Sequence, residues 1–78
     1  MHILVSMNET KSLETKVGTL RVGDKFSFYQ HNYGIVQGTV VDIKQDSRGP
    51  KYSPNVLYTE EGSTYVQSVY AMMIRSIG

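Results

Sequence analysis

Between Lys25 and Ile43 the side chains keep the period of a β-strand. In Lys25-Phe26-Ser27-Phe28-Tyr29-Gln30 both Phe fall on one face and Ser27 and Tyr29 on the other, the period of two that a half-buried strand requires. The pattern resumes after the loop in Ile35, Val36, Gly38, Val40, Val41 and Ile43. β-Branched residues dominate there, as a strand prefers. The stretch between, His31-Asn32-Tyr33-Gly34, holds Asn and Gly, which supply the backbone angles of a tight loop. The pair therefore reads as a β-hairpin. Gly38 inside the second run predicts a bulge or a sharp bend, by which one long strand serves two sheets.

The flanking segments extend this all-β reading. Val17 to Asp24 alternates apolar with small or polar residues and ends in a Gly23-Asp24 turn signal. Residues 45 to 55 contain both prolines and no periodicity, so they read as a long loop. Residues 55 to 59 read as a strand, 60 to 63 as a hairpin turn and 64 to 69 as the returning strand. Residues 70 to 73 suggest a short 3₁₀ turn and 74 to 77 a last strand. Residues 6 to 16 are polar with a single Leu. They read as a flexible arm, or at most one helical turn capped by Asn8 or Ser12. The run His2 to Val5 reads as an added or frayed strand. The expected organisation is an N-terminal arm over 1–16 and a five-stranded small barrel over 17–78.

The totals narrow the function classes. The chain has 78 residues and no cysteine, so it is read as one domain with no disulfide or thiol chemistry. A core of that size buries a modest share of its surface. Stability then comes from a closed β-barrel or from self-association. Eight Lys and Arg stand against seven Asp and Glu, which argues against a strongly basic nucleic-acid module and against an acidic mimic of DNA. No apolar run approaches the roughly 20 residues of a membrane helix. The start lacks the basic region and cleavage site of a secretory signal, and the expected location is cytoplasmic.

This order of short strands, with a 3₁₀ turn before the last, resembles an SH3-like barrel of the Tudor type. Val22-Gly23-Asp24-Lys25-Phe26 resembles the opening of those domains. Gly38-Thr39-Val40-Val41-Asp42-Ile43 resembles their second strand, and Val56-Leu57-Tyr58-Thr59 with Gly62 their third strand and turn. Tudor readers hold methylated Lys or Arg in an aromatic cage. The resemblance lays the cage on Gln30, Gln37, Tyr58 and Glu61, of which only Tyr58 is aromatic, so the cage is not retained. A weaker resemblance is to the plasmid-borne B-type dihydrofolate reductases, which are tetramers around a pore. Gly23-Asp24, Val36-Gln37-Gly38 and Val66-Gln67 carry it. It implies a pore or ligand site around Tyr65 and Gln67. The reductase signature itself is absent: Ser68-Val69 follows Gln67, and the expected pore lysine falls near Phe28 or Tyr29.

Candidate sites follow from the residue types. Two histidines, His2 and His31, sit far apart in a chain without cysteine, and we expect neither a metal nor a cofactor. No nucleophile elbow is present, and Glu60-Glu61 lies at a hairpin tip where carboxylates stay wet. The chain is therefore read as non-enzymatic. Lys44, Arg48 and Lys51 beside Tyr52 are its densest positive charge, a pattern that holds phosphates and stacks a base. The surrounding Arg-Gly-Pro loop is of the kind that orders on binding. Six tyrosines are more than a small barrel buries, and surplus Tyr suits a protein interface. The expected binding face is Tyr29, His31, Tyr33 and Tyr58 with the 44–52 loop. Its partner is a protein, with nucleic acid as the alternative and self-association as a further possibility. Free-standing barrels this short are typical of bacterial, plasmid or phage accessory proteins, some of which block a host enzyme.

Overall fold

The computed structural model describes residues 11–78, and the readings made for His2 to Val5 and for Asn8 lie outside them. Seven strands and one 3₁₀ turn follow in order among the described residues: β1 (Ser12–Thr15), β2 (Gly18–Arg21), β3 (Lys25–Gln30), β4 (Gly34–Lys44), β5 (Asn55–Glu60), β6 (Gln67–Tyr70), the 3₁₀ turn Ala71–Met73 and β7 (Ile74–Ile77). Strands β1 and β2 form a hairpin of their own. The other five make one antiparallel sheet in the order β6-β5-β4-β3-β7. The protein is all-β, as its alternation implies. The sheet is open, however: β6 and β7 are its two ends and do not pair with each other.

The concave face of the sheet carries the core. Phe26 and Phe28 of β3, Val40 and Ile43 of β4, Val56 and Tyr58 of β5 and Ile74 of β7 are buried together with Leu20 and Ala71. In β3 and β5 the buried residues alternate strictly, whereas in β4 Val40 and Ile43 are three apart because the register shifts between Val40 and Asp42. The rings of Phe26 and Tyr58 meet edge to face with centroids 5.4 Å apart, although β4 lies between their strands. Gly38 makes this contact possible. It sits directly opposite Phe26, and a Cβ there would lie 2.5 Å from Cδ2 of Tyr58. The glycine is thus required for the close approach of a ring. The bulge expected at Gly38 falls instead between Val40 and Asp42, where the β4–β5 register shifts.

Two further expectations are corrected. The polar segment before Val17 holds neither a helical turn nor an arm over its last residues, because Ser12–Thr15 is strand β1. Leu13 pairs with Leu20 and packs against the core. The turn is closed by Thr15, whose Oγ1 donates to the carbonyl of Gly18 at 2.8 Å and accepts from the Val17 N–H at 3.1 Å. Lys11 then ties the hairpin to β4 through an ion pair with Asp42, 2.9 Å long. The returning strand expected over 64–69 is paired only from Gln67 to Tyr70. The four residues before it carry no ladder to β5.

Candidate binding face

The tip of the β3–β4 hairpin is built by backbone angles that few residues adopt. Gln30 and Gly34 are the last ladder pair. Between them the Tyr33 N–H donates to the Gln30 carbonyl at 2.9 Å. Asn32 turns the chain with φ 75° and Gly34 with φ 87°, the left-handed region that Asn and Gly tolerate. This geometry pushes His31 and Tyr33 into solvent, with Tyr33 77% exposed. Tyr29 and Ile35 sit opposite each other one step back on the ladder, both exposed.

Across the concave mouth of the sheet this tip faces β5 and β6. An open groove of about 480 Å³ lies between them, lined by Tyr29, Gln30 and His31 on one wall and by Gln67, Val69 and Tyr70 on the other. A second groove of about 510 Å³ adjoins it through Gln30 and Gln67 and carries Tyr33, Gln37 and Glu60. Gln67 directs its amide at Glu60, with Nε2 3.1 Å from Oε2. The candidates Tyr29, His31, Tyr33 and Gln67 therefore come together, and Glu60, Gln30 and Tyr70 join them. Glu60 follows Tyr58 by two positions on β5, a parity that marks it as facing the mouth rather than the wet tip.

Other candidates fall elsewhere. Tyr58 is a core residue, 2% exposed, with its ring against Phe26 and Phe28. It offers no ring face to a ligand. Burial, and then the charge of Glu60, push its phenol above the usual range, so it stays protonated. Tyr65 is 77% exposed and lines neither groove. Glu61 is exposed at the β5–β6 turn, where it shares a groove with Gln37 but not with Gln30.

The basic loop is occupied by its own architecture. Asp46 is 6% exposed, and its carboxylate accepts from the Arg48 backbone N–H at 2.9 Å, from Arg48 Nε at 3.0 Å and Nη2 at 3.2 Å, and from Asn55 Nδ2 at 3.1 Å. The Arg48 guanidinium also donates to the Tyr70 hydroxyl and stacks 4.1 Å over the Tyr52 ring. The Arg48 hydrogen bonds hold the Asp46 carboxyl well below its ordinary value, and Asp46 in turn raises Arg48. The loop is pinned to β5 and β6 rather than left to order on a partner. Of its positive groups, Lys44 and Lys51 stay exposed while Arg48 is neutralised locally. Tyr70, which sequence reading passed over, touches both the knot and the groove.

Among the described residues no cluster of three His, Asp or Glu side chains is placed to hold a metal ion, and no helix is long and apolar enough to cross a membrane. Set against family models, curated proteins and solved structures, the chain finds no significant match in any of the three.

Proposed function

We propose that this chain is a non-enzymatic, SH3-like binding module that grips a protein partner in the groove between the β3–β4 hairpin tip and β6. The observation that carries this reading is the convergence of Tyr29, Tyr33 and His31 on one wall with Tyr70, Gln67 and Glu60 on the other. Tyrosine supplies broad contact area at small entropic cost, and it is enriched where interfaces concentrate their energy. The grooves are open troughs, whereas a small-molecule site encloses most of its ligand. A partner segment laid along the trough meets amide donors and acceptors from Gln30 and Gln67 and one carboxylate from Glu60. The SH3-like assignment is supported by the strand order β6-β5-β4-β3-β7 with a 3₁₀ turn between β6 and β7. The accessory role suggested by size, occupying and so inhibiting a host enzyme, fits the same surface.

The test is affinity capture with the full chain against two double variants. Tyr29→Ala with Tyr33→Ala is expected to lose a protein that the unaltered chain retains through a wash at 0.5 M salt, roughly the point where exposed charge contacts are screened. Lys44→Ala with Lys51→Ala is expected to retain it. The opposite pattern, or capture of nucleic acid that falls steeply with salt, would assign the partner to the basic loop.

A further inference from the structure

From Gly62 to Ile74 the chain carries no Asp, Glu, Lys, Arg, His or Pro. This stretch includes β6, which among the described residues pairs on one side only, with β5. An open strand edge is a template for another strand, and proteins usually blunt it with charge, proline or a bulge. Those devices are missing here. The other end of the sheet, β7, carries Arg75, so two copies meeting there would bring like charges together.

A second mismatch lies in the same place. Tyr65, Gln67 and Val69 alternate with Val66 and Ser68, the grammar of a strand beginning at Thr64. Yet residues 64–66 have no ladder partner among the described residues, and Tyr65 and Val66 lie exposed, Val66 at 55%. The strand pattern is longer than the strand that β5 can pair, because the turn after Glu60 consumes the opposing chain, Ser63 N–H donating back to the Glu60 carbonyl at 3.0 Å.

We propose that the partner of this edge is a second copy of the same chain, with two β6 strands pairing antiparallel about a two-fold axis at Gln67. In this register the two Gln67 face each other, and each Tyr65 lies opposite Val69 of the other copy on the same face. An aromatic ring over a β-branched side chain is a favourable cross-strand pair. Val66 lies opposite Ser68 on the other face. The contact is isologous, so the Tyr65–Val69 and Val66–Ser68 pairs each occur twice, and the assembly closes at two. The uncharged stretch lets identical surfaces meet without repulsion, and the two sheets become one. The axis sets the two grooves side by side on the same face of that sheet.

Sedimentation velocity over a concentration series of the full chain tests this. The expected result is a species of twice the 8.8 kDa chain mass. Val66→Lys with Ser68→Lys places like charges opposite each other and is expected to weaken the dimer about tenfold or more, a shift that two repelling pairs supply. Val66→Glu with Ser68→Lys places opposite charges across the axis and is expected to keep the dimer. Both positions are exposed, and unchanged far-ultraviolet circular dichroism verifies that each variant folds. A monomer at every concentration overturns the proposal. So does a dimer that both variants leave equally intact or equally broken. The readout is mass alone, so it stands apart from the capture experiment on Tyr29 and Tyr33.

Discussion

Gly38 shows how one missing atom organises this core. Strands β3 and β5 are not neighbours, and the Phe26 and Tyr58 rings meet where β4 presents only Gly38 between them. Gly38→Ala is expected to cost about 1–3 kcal/mol, the range for forcing an extra methyl group into a packed interior. The new Cβ would sit 2.5 Å from the Tyr58 ring. The cost has one identifiable source, so it should shrink when Tyr58→Leu removes the ring. A double-mutant cycle by urea denaturation reads this coupling directly. Strictly additive losses would mean that Tyr58 is not what the methyl group meets. The sequence marked Gly38 as special within its strand. It did not say why, because a bulge and a close ring approach both demand glycine and differ only in what lies across the sheet.

The long loop after β4 is organised around one buried carboxylate. Asp46 accepts four hydrogen bonds from Arg48 and Asn55, and its folded pKa lies below the ordinary 3.8 because Arg48 stabilises the charged form. A depressed carboxylate contributes stability that is fully present above its unfolded value and is lost as pH falls toward the folded one. Asp46→Asn should therefore be less stable than the unaltered chain above about pH 5. The gap should narrow steadily as the medium is acidified below about pH 4. Urea midpoints measured across this range verify the sign; a gap that stays constant with pH would show that the charge plays no part. Arg48 was read from sequence as a free phosphate-binding group. Its neighbours Asp46 and Asn55 were visible, but only the fold of the loop turns one chain segment back so that the guanidinium meets the carboxylate. The β1–β2 hairpin escaped notice for a related reason. Its strands are short, and one Leu in eleven polar residues carries no period. Leu13 becomes legible as core only when Leu20 is seen opposite it.

A chain of 78 residues rests on few large side chains. Phe26 and Leu20 are among the largest that are fully buried. At roughly 0.05–0.15 kcal/mol per residue, such a chain holds only some kilocalories of net stability. Phe26→Ala removes a ring that packs on both Phe28 and Tyr58, a loss of about 3–5 kcal/mol. The expected outcome is a chain largely unfolded at 25 °C, seen as a collapsed thermal transition in circular dichroism. A cooperative melt close to that of the unaltered chain would contradict the core described here. If β6 pairs between copies, the melt of the unaltered chain also rises with protein concentration, since association stabilises the folded form by mass action.

Local order was written into the residues themselves. Strands β3, β4, β5 and β7, the 3₁₀ turn and the Asn-Gly hairpin tip follow from alternation and from backbone angles, and both act over a few neighbours in the chain. The candidate face was legible in part for the same reason, since Tyr29, His31 and Tyr33 share one hairpin. Tertiary packing decided everything that depends on distant segments meeting. It drew Tyr58 inward and brought Gln67, Glu60 and Tyr70 to the far wall of the groove. It closed Arg48 onto Asp46 and, among the described residues, left β6 at the end of the sheet. Which strands become neighbours is set by how the whole apolar face closes over itself, and no short window of residues contains that information.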